Sequence, residues 1–295
     1  MKFKVDVKDL LSGSDETIDV NAMPLRLGDY DKDGYPDILM LTHDKSKSYI
    51  RLLQSIPCTK TLCSKTEVLD HHRYYKLATT GMDEINNMDG IKIGAVFFDL
   101  NEDGALDLFV LTKDKSGSKK QQHVSAFQNN FYSDGFFLKS LVLNGVCPAW
   151  CKNGVRFPDP KPYGVNYFGA TIKYTVTDPN GQKRATQLSQ IPQSSYFSLN
   201  LPYTVSGLGR TNNYIETLFV GVTKQKSDNV ATYFGVIPNS QLVIVPYEPD
   251  SDGPDEWKLE LFINPSTLAP WVFVSLLTTL VGLSGVVVFL HYRER

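Results

Sequence analysis

The chain carries the same aspartate-rich loop twice, each copy bracketed by short apolar runs. Asp29, Asp31, Asp33 and Asp37 in the first copy align with Asp99, Asn101, Asp103 and Asp107 in the second, at positions 1, 3, 5 and 9 of the loop. Gly34 and Gly104 fall at position 6, where a sharp turn needs the positive φ that glycine adopts without Cβ strain. Tyr35 and Ala105, at position 7, would each offer a backbone carbonyl. Oxygen side chains crowded this closely repel one another unless a hard cation sits among them, and calcium accepts about six to eight oxygen ligands. Calcium is therefore the expected cofactor. Its candidate ligands are Asp29, Asp31, Asp33, Tyr35 and Asp37, and Asp99, Asn101, Asp103, Ala105 and Asp107. One Asp- and Gly-rich turn on its own reads equally well as a solvated turn. Two copies with the same spacing, the same glycine and the same following run are much harder to obtain by composition.

An EF-hand begins in the same way, but it requires a bidentate Glu at position 12 and a helix on either side. Position 12 here is Met40 or Val110. The flanking runs are Leu25-Arg26-Leu27 and Ala95 to Phe98 before the loops, Ile38 to Leu41 and Leu108 to Leu111 after them. Such runs around a tight loop predict a hairpin whose strands are buried between neighbouring sheets. Ser48 to Leu53 and Gln122 to Gln128 lie at similar offsets and read as third strands, and Phe136 to Leu143 as an outer strand of the second unit.

Ile93-Gly94-Ala95, followed by Asp99-x-Asn101-x-Asp103-Gly104-x-x-Asp107-Leu108, resembles the FG-GAP repeat of integrin alpha chains. The resemblance covers residues 22–42 and 91–112. It implies that each copy belongs to one blade of a β-propeller, with the calcium loop joining two strands. A propeller takes about four to eight blades, so two units predict further blades outside this sequence. Met1 to Asp6 lacks the apolar core of a signal peptide, in keeping with a C-terminal part or an alternative start.

The remaining chain divides by composition. Four cysteines, Cys58, Cys63, Cys147 and Cys151, predict two short-loop disulfides, Cys58 to Cys63 and Cys147 to Cys151. Zinc held by Cys58, Cys63, His71 and His72 fits no common spacing. Residues 146–163 are rich in Pro, Gly and Lys and read as a linker. Residues 164–247 alternate short β-runs with turns, Asn180-Gly181 being a strong hairpin signal, and predict an antiparallel β-sandwich. This stretch resembles the β module that trails FG-GAP repeats in the ASPIC/UnbV family. Gly207-x-Gly209 lacks the third glycine of a phosphate loop and reads as turn glycines. Residues 248–267 are acidic and Pro-containing and read as a stalk, with Asp250-Ser251-Asp252-Gly253 a weaker calcium candidate. Residues 268–290 carry no charge and are long enough to cross a hydrocarbon core of about 30 Å. Arg293 and Arg295 then place the tail, 291–295, on the cytoplasmic side.

The whole is expected to be all-β: incomplete FG-GAP blades over residues 1–145, the linker, the sandwich, the stalk and one transmembrane helix. A net charge of −2 and a pI near 6.2 argue against nucleic acid, whose phosphates demand a basic face. Five scattered histidines form no legible triad, and the clearest carboxylates are committed to calcium, which would keep them ionised. The expectation is a non-enzymatic membrane protein with its bulk outside the cell. The order of motifs is similar to that of the integrin-alpha FG-GAP repeat-containing membrane proteins. That resemblance implies an extracellular protein partner on T cells or other cell surfaces. Two alternatives are a carbohydrate-binding or carbohydrate-processing propeller displaying Tyr30, Tyr35 or Tyr132, and a structural scaffold.

Overall fold

A computed structural model describes residues 3–4, 17–18, 25–44, 47–114, 121–130, 135–145, 164–195, 198–210, 214–223, 229–246, 257–263 and 269–294. The first sheet is built from β1 (Phe3–Lys4), β2 (Thr17–Ile18), β3 (Arg26–Gly28), β4 (Asp37–His43), β5 (Ser48–Pro57) and β6 (Arg73–Leu77), in the order β1-β6-β5-β4-β2 with β3 also on β4. Helix α1 (Lys65–Leu69) lies between β5 and β6, closed by the Cys58–Cys63 disulfide and a Ser64/Glu67 capping box. That bridge is the one expected, and it removes both cysteines as zinc ligands. Helix α2 (Met82–Asn87) leads into a second sheet, β7 (Ile91–Phe98), β8 (Asp107–Lys113) and β9 (Gln122–Phe127).

The first Asp loop joins β3 to β4, with Gly28 opposite Asp37, and the second joins β7 to β8, with Phe98 opposite Asp107. Both loops connect strands, as the flanking runs predict, and β5 and β9 are the expected third strands. Strand β4 is buried on both faces: Leu39 and Leu41 meet Ile50, Ala95, Phe97 and Val110, while Met40 meets Leu53 and Tyr75. Burial on both faces is why this strand reads as a continuous apolar run instead of an alternating one. The two sheets thus share a core, and no sheet closes on itself among the described residues.

The next strand, β10 (Phe136–Val142), departs from expectation. It does not extend the second sheet. It lies between β15 (Thr204–Gly209) and β18 (Ser240–Val245), antiparallel to the first and parallel to the second, while β19 (Lys258–Phe262) completes a four-stranded sheet, β15-β10-β18-β19. Facing it is a sheet of β11 (Thr171–Thr177), β12 (Lys183–Ser189), β16 (Ile215–Gly221) and β17 (Val230–Val236), in the order β12-β11-β16-β17. A minor pair, β13 (Ser194–Ser195) and β14 (Ser198–Leu199), stands apart. Leu138, Val142, Leu208, Leu242 and Ile244 from one sheet pack on Ile172, Tyr174, Ile215, Leu218 and Val220 from the other. Phe136 to Leu143 was legible as a strand; its inward Leu138 and Val142 are buried by partners that come from the later strands of the chain.

The expected sandwich is therefore present, and it extends beyond 164–247 at both ends. Trp257 is buried and β19 pairs with β18, so part of the stretch read as a stalk is structural. Residues 146–163, Cys147 and Cys151, Asp250 to Gly253 and Tyr132 lie outside the described residues. The second compact unit, from Ile263, contains helix α3 (Ala269–Glu294), long and apolar enough to cross a membrane. It covers residues 269–290 of the predicted segment and continues through His291 and Arg293, so most of the expected tail is helical.

Candidate metal centre

The two Asp loops share a backbone. Lys32 and Glu102, at position 4, adopt φ values of 60° and 59°, and Gly34 and Gly104 adopt 87° and 76°. At position 9, Asp37 accepts hydrogen bonds from Tyr30 N at 3.0 Å and Ser55 N at 2.7 Å, and Asp107 accepts from Leu100 N at 2.9 Å and Asn129 N at 2.7 Å. Each position-9 carboxylate therefore ties its own loop to its third strand or the residues just after it. Position 5 repeats as well: Tyr35 N donates to Asp33 Oδ1 at 2.9 Å and Ala105 N to Asp103 Oδ1 at 2.7 Å.

The side chains differ. In the first loop, carboxylate oxygens of Asp29, Asp31 and Asp37 lie within 4.8 Å of one another, and all three residues are buried. Asp29 accepts from Asp33 N at 3.1 Å and Gly34 N at 2.8 Å, and Asp31 from Gln54 Nε2 at 2.7 Å. Desolvation, then repulsion from Asp33, Asp31 and Asp37, raises the Asp29 carboxyl well above its ordinary range. Desolvation pushes Asp37 up to about 7. A divalent cation among these oxygens would offset both effects, and an all-carboxylate donor set suits a hard ion such as calcium. Asp33, expected as a further ligand, is drawn aside by the buried guanidinium of Arg73, which pairs with its Oδ2. The Arg73 Cζ also lies 3.6 Å from the Tyr35 ring centroid, with that of Arg184 at 4.8 Å. Tyr30 packs against the hairpin core.

In the second loop Asp99 and Asp107 are buried, whereas Asn101 and Asp103 are exposed. The Asn101 amide donates to Asp103 Oδ2 at 2.8 Å, and Asp99 Oδ2 receives Lys139 Nζ at 3.2 Å. Desolvation raises the Asp99 carboxyl, opposed by the Lys139 charge. Ala105 is buried beneath this turn.

Both loops rest on the sandwich. Asp29 Oδ2 accepts from Gly207 N at 2.8 Å, Lys32 O from Gly209 N at 3.1 Å, and Asp33 O from Arg184 Nη2 at 2.7 Å. A Cβ on Gly207 would come within 2.3 Å of the Lys32 backbone, and one on Gly104 would meet the Phe137 ring at 2.2 Å. Phe137 and Gly207 are cross-strand partners in the β10–β15 ladder, so one small area of sheet receives both loops. Beside the first loop, a cavity of about 420 Å³ lined by Leu27, Phe97, Leu188 and Leu201 interrupts apolar packing. On that side, the loop's polar contacts act together with Val205 of β15, which is buried among Phe97 and Leu106 of the hairpin core.

Gly207 and Gly209 are thus strand residues, not turn residues. Glycine inside a β-run signals close backbone approach, and that signal was available in the sequence. Arg184 and Lys139 carried none.

The family model described as "ITFG1, C2 domain" matches residues 162–262. It takes the place of the ASPIC/UnbV resemblance and ends where β19 ends. A T-cell immunomodulatory protein from Macaca fascicularis is 34% identical over 92% of this chain, which covers 84% of that relative. The chain belongs to the T-cell immunomodulatory protein family. Other members are longer. The mouse protein is 34% identical over 92% of the chain, which spans 43% of its length. A Plasmodium falciparum homolog is likewise 34% identical over 92% of the chain, which spans 37% of it. At 92% of the chain, the aligned share is large enough to take in the Asp-loop hairpins together with the C2 module.

Proposed function

We propose that this chain is a non-enzymatic, single-pass membrane protein whose first Asp loop binds calcium and thereby braces the hairpin sheets on the C2 module. The braced pair presents a surface to a protein partner outside the cell. The observation that carries this reading is the placement of Asp29: it is one of three buried carboxylates within 4.8 Å, and its Oδ2 also accepts from Gly207 N of the sandwich. A cation held by Asp29, Asp31 and Asp37 would relieve their mutual repulsion and leave Asp29 ionised as an acceptor for that amide. Calcium would act on the joint between modules.

In this reading the two hairpin sheets are blades of a propeller completed by other repeats, α3 crosses the membrane, and Arg293 and Arg295 lie on the cytoplasmic side. The names of the mammalian relatives direct the search for a partner to T cells. Reconstituting the full chain in lipid nanodiscs and measuring its thermal melting and its binding to T cells, with calcium and with chelator, tests the proposal. A higher melting temperature and stronger binding in calcium are expected. Identical melting in calcium and chelator would remove the metal centre, and no binding by folded, calcium-loaded protein would remove the partner on T cells.

A further inference from the structure

The second loop repeats the spacing and backbone of the first, yet it differs in two ways that bear on whether a metal can enter. Position 3 is Asn101, an uncharged side chain whose NH2 donates to Asp103 Oδ2. The carboxylate at position 1, Asp99, faces not a neutral amide, as Asp29 faces Gly207 N, but an ammonium: Lys139 Nζ stands 3.2 Å from Asp99 Oδ2 and 3.9 Å from Glu102 Oε1. That ammonium is enclosed, its side chain 5% exposed and that of Asp99 0%. The Tyr203 ring centroid lies 4.3 Å from Nζ. The Asp99 carboxylate is thus held by the Lys139 ammonium together with the backbone amide of Gly104.

We propose that the second Asp loop is a cation site filled by the protein's own Lys139, so that the chain takes one calcium and not two. A divalent ion at Asp99 would stand a few ångströms from an ammonium that a low-dielectric setting screens poorly. Burial keeps Lys139 from swinging into water, and its removal would leave Asp99 buried and unpaired. Because Lys139 belongs to β10, the ion pair is also a latch. The first loop holds the sandwich through calcium and Gly207; the second holds it through Lys139 without any metal. The count of one rests on the calcium reading of the first loop, and the test separates the two claims.

The experiment is calcium stoichiometry by native mass spectrometry and calorimetry on the full chain in nanodiscs, for the wild type, Lys139→Met, Asp103→Asn and Asp31→Ala. One calcium in the wild type, two in Lys139→Met and none in Asp31→Ala, which removes the ligand oxygen that an Asn would keep, is the expected set. Asp103→Asn, an exposed position, should still bind one calcium, and it keeps the proposal open to refutation if Lys139→Met fails to fold. Two calcium ions in the wild type, or loss of an ion in Asp103→Asn, would overturn the Lys139 assignment. So would a folded Lys139→Met that gains none. Zero in the wild type with one in Lys139→Met would uphold the Lys139 assignment and refute the calcium reading of the first loop.

Discussion

The two Asp loops share one ligand spacing and are unlike as sites. Both put a glycine at position 6, tie position 9 to the third-strand region and rest on the β10–β15 ladder. In the first, buried carboxylates converge on one point and the sandwich contributes a backbone amide. In the second, two ligand positions lie in water and the sandwich contributes a charge. Ligand spacing specifies a turn; what fills the turn depends on the neighbour against which it is pressed.

The largest effect should come from closing the space between loop and sandwich. Gly207→Ala would drive a Cβ to 2.3 Å from the Lys32 backbone, which cannot rotate away as a side chain can, and a loss of about 3 kcal/mol or more is expected by urea unfolding. An unchanged midpoint would mean the first loop is not seated on β15. Asp33→Ala should come next, at about 2–3 kcal/mol, because it strips Arg73 of its carboxylate; the figure is discounted for the 31% exposure of Asp33. This loss should appear equally in calcium and in chelator, which separates Asp33 from the three converging carboxylates.

Asp31→Ala should leave stability in chelator near wild type or slightly higher, since it relieves repulsion, and abolish the gain in calcium by removing a ligand oxygen. That gain is about 2.7 kcal/mol at a hundredfold excess over Kd. Giving the second loop a carboxylate at position 3, Asn101→Asp, should add no calcium-dependent stability. A matching gain from Asn101→Asp would erase the difference between the loops.

The pH dependence in chelator should carry the sign of buried, mutually repelling acids. Desolvation, aided by neighbouring charges, pushes Asp33 to about 6 and Asp37 to about 7, and raises Asp29 well above its ordinary range. Folding then favours the neutral acids, so the stability they contribute is present below the ordinary carboxylate range and is lost as pH rises through about 6 to 7. Chelator-treated protein should melt higher at pH 5 than at pH 8, and calcium should narrow or reverse that gap by stabilising most at pH 8. Asp103→Asn should give the smallest change, within about 0.5 kcal/mol, as befits an exposed site.

Much of the first module was legible because its signals are local. The Asp-Gly spacing, the β-forming flanks and the third strands each occupy a few consecutive residues, and all reappear in the sheets. The Asn180-Gly181 hairpin between β11 and β12 was legible for the same reason. The sheet to which β10 belongs was not, since a short apolar run reports that a strand is buried without naming what buries it. The same limit applied to residues 248–267: acidic content marked a stalk, while the strand pairing of Lys258–Phe262 depended on a partner elsewhere.

By itself, the sequence determined that the chain is built of β-strands, that two glycine-turned aspartate loops close hairpins, and that one apolar segment can cross a membrane. Each of these follows from short-range sterics or from hydrophobicity summed over neighbours in the chain. Only the tertiary structure decided that the two loops are different sites. Lys139 reaches Asp99 across 40 positions and Gly207 reaches Asp29 across 178, and no local rule of spacing or propensity extends that far. Electrostatic and steric complementarity between distant residues exists only once the two modules have packed.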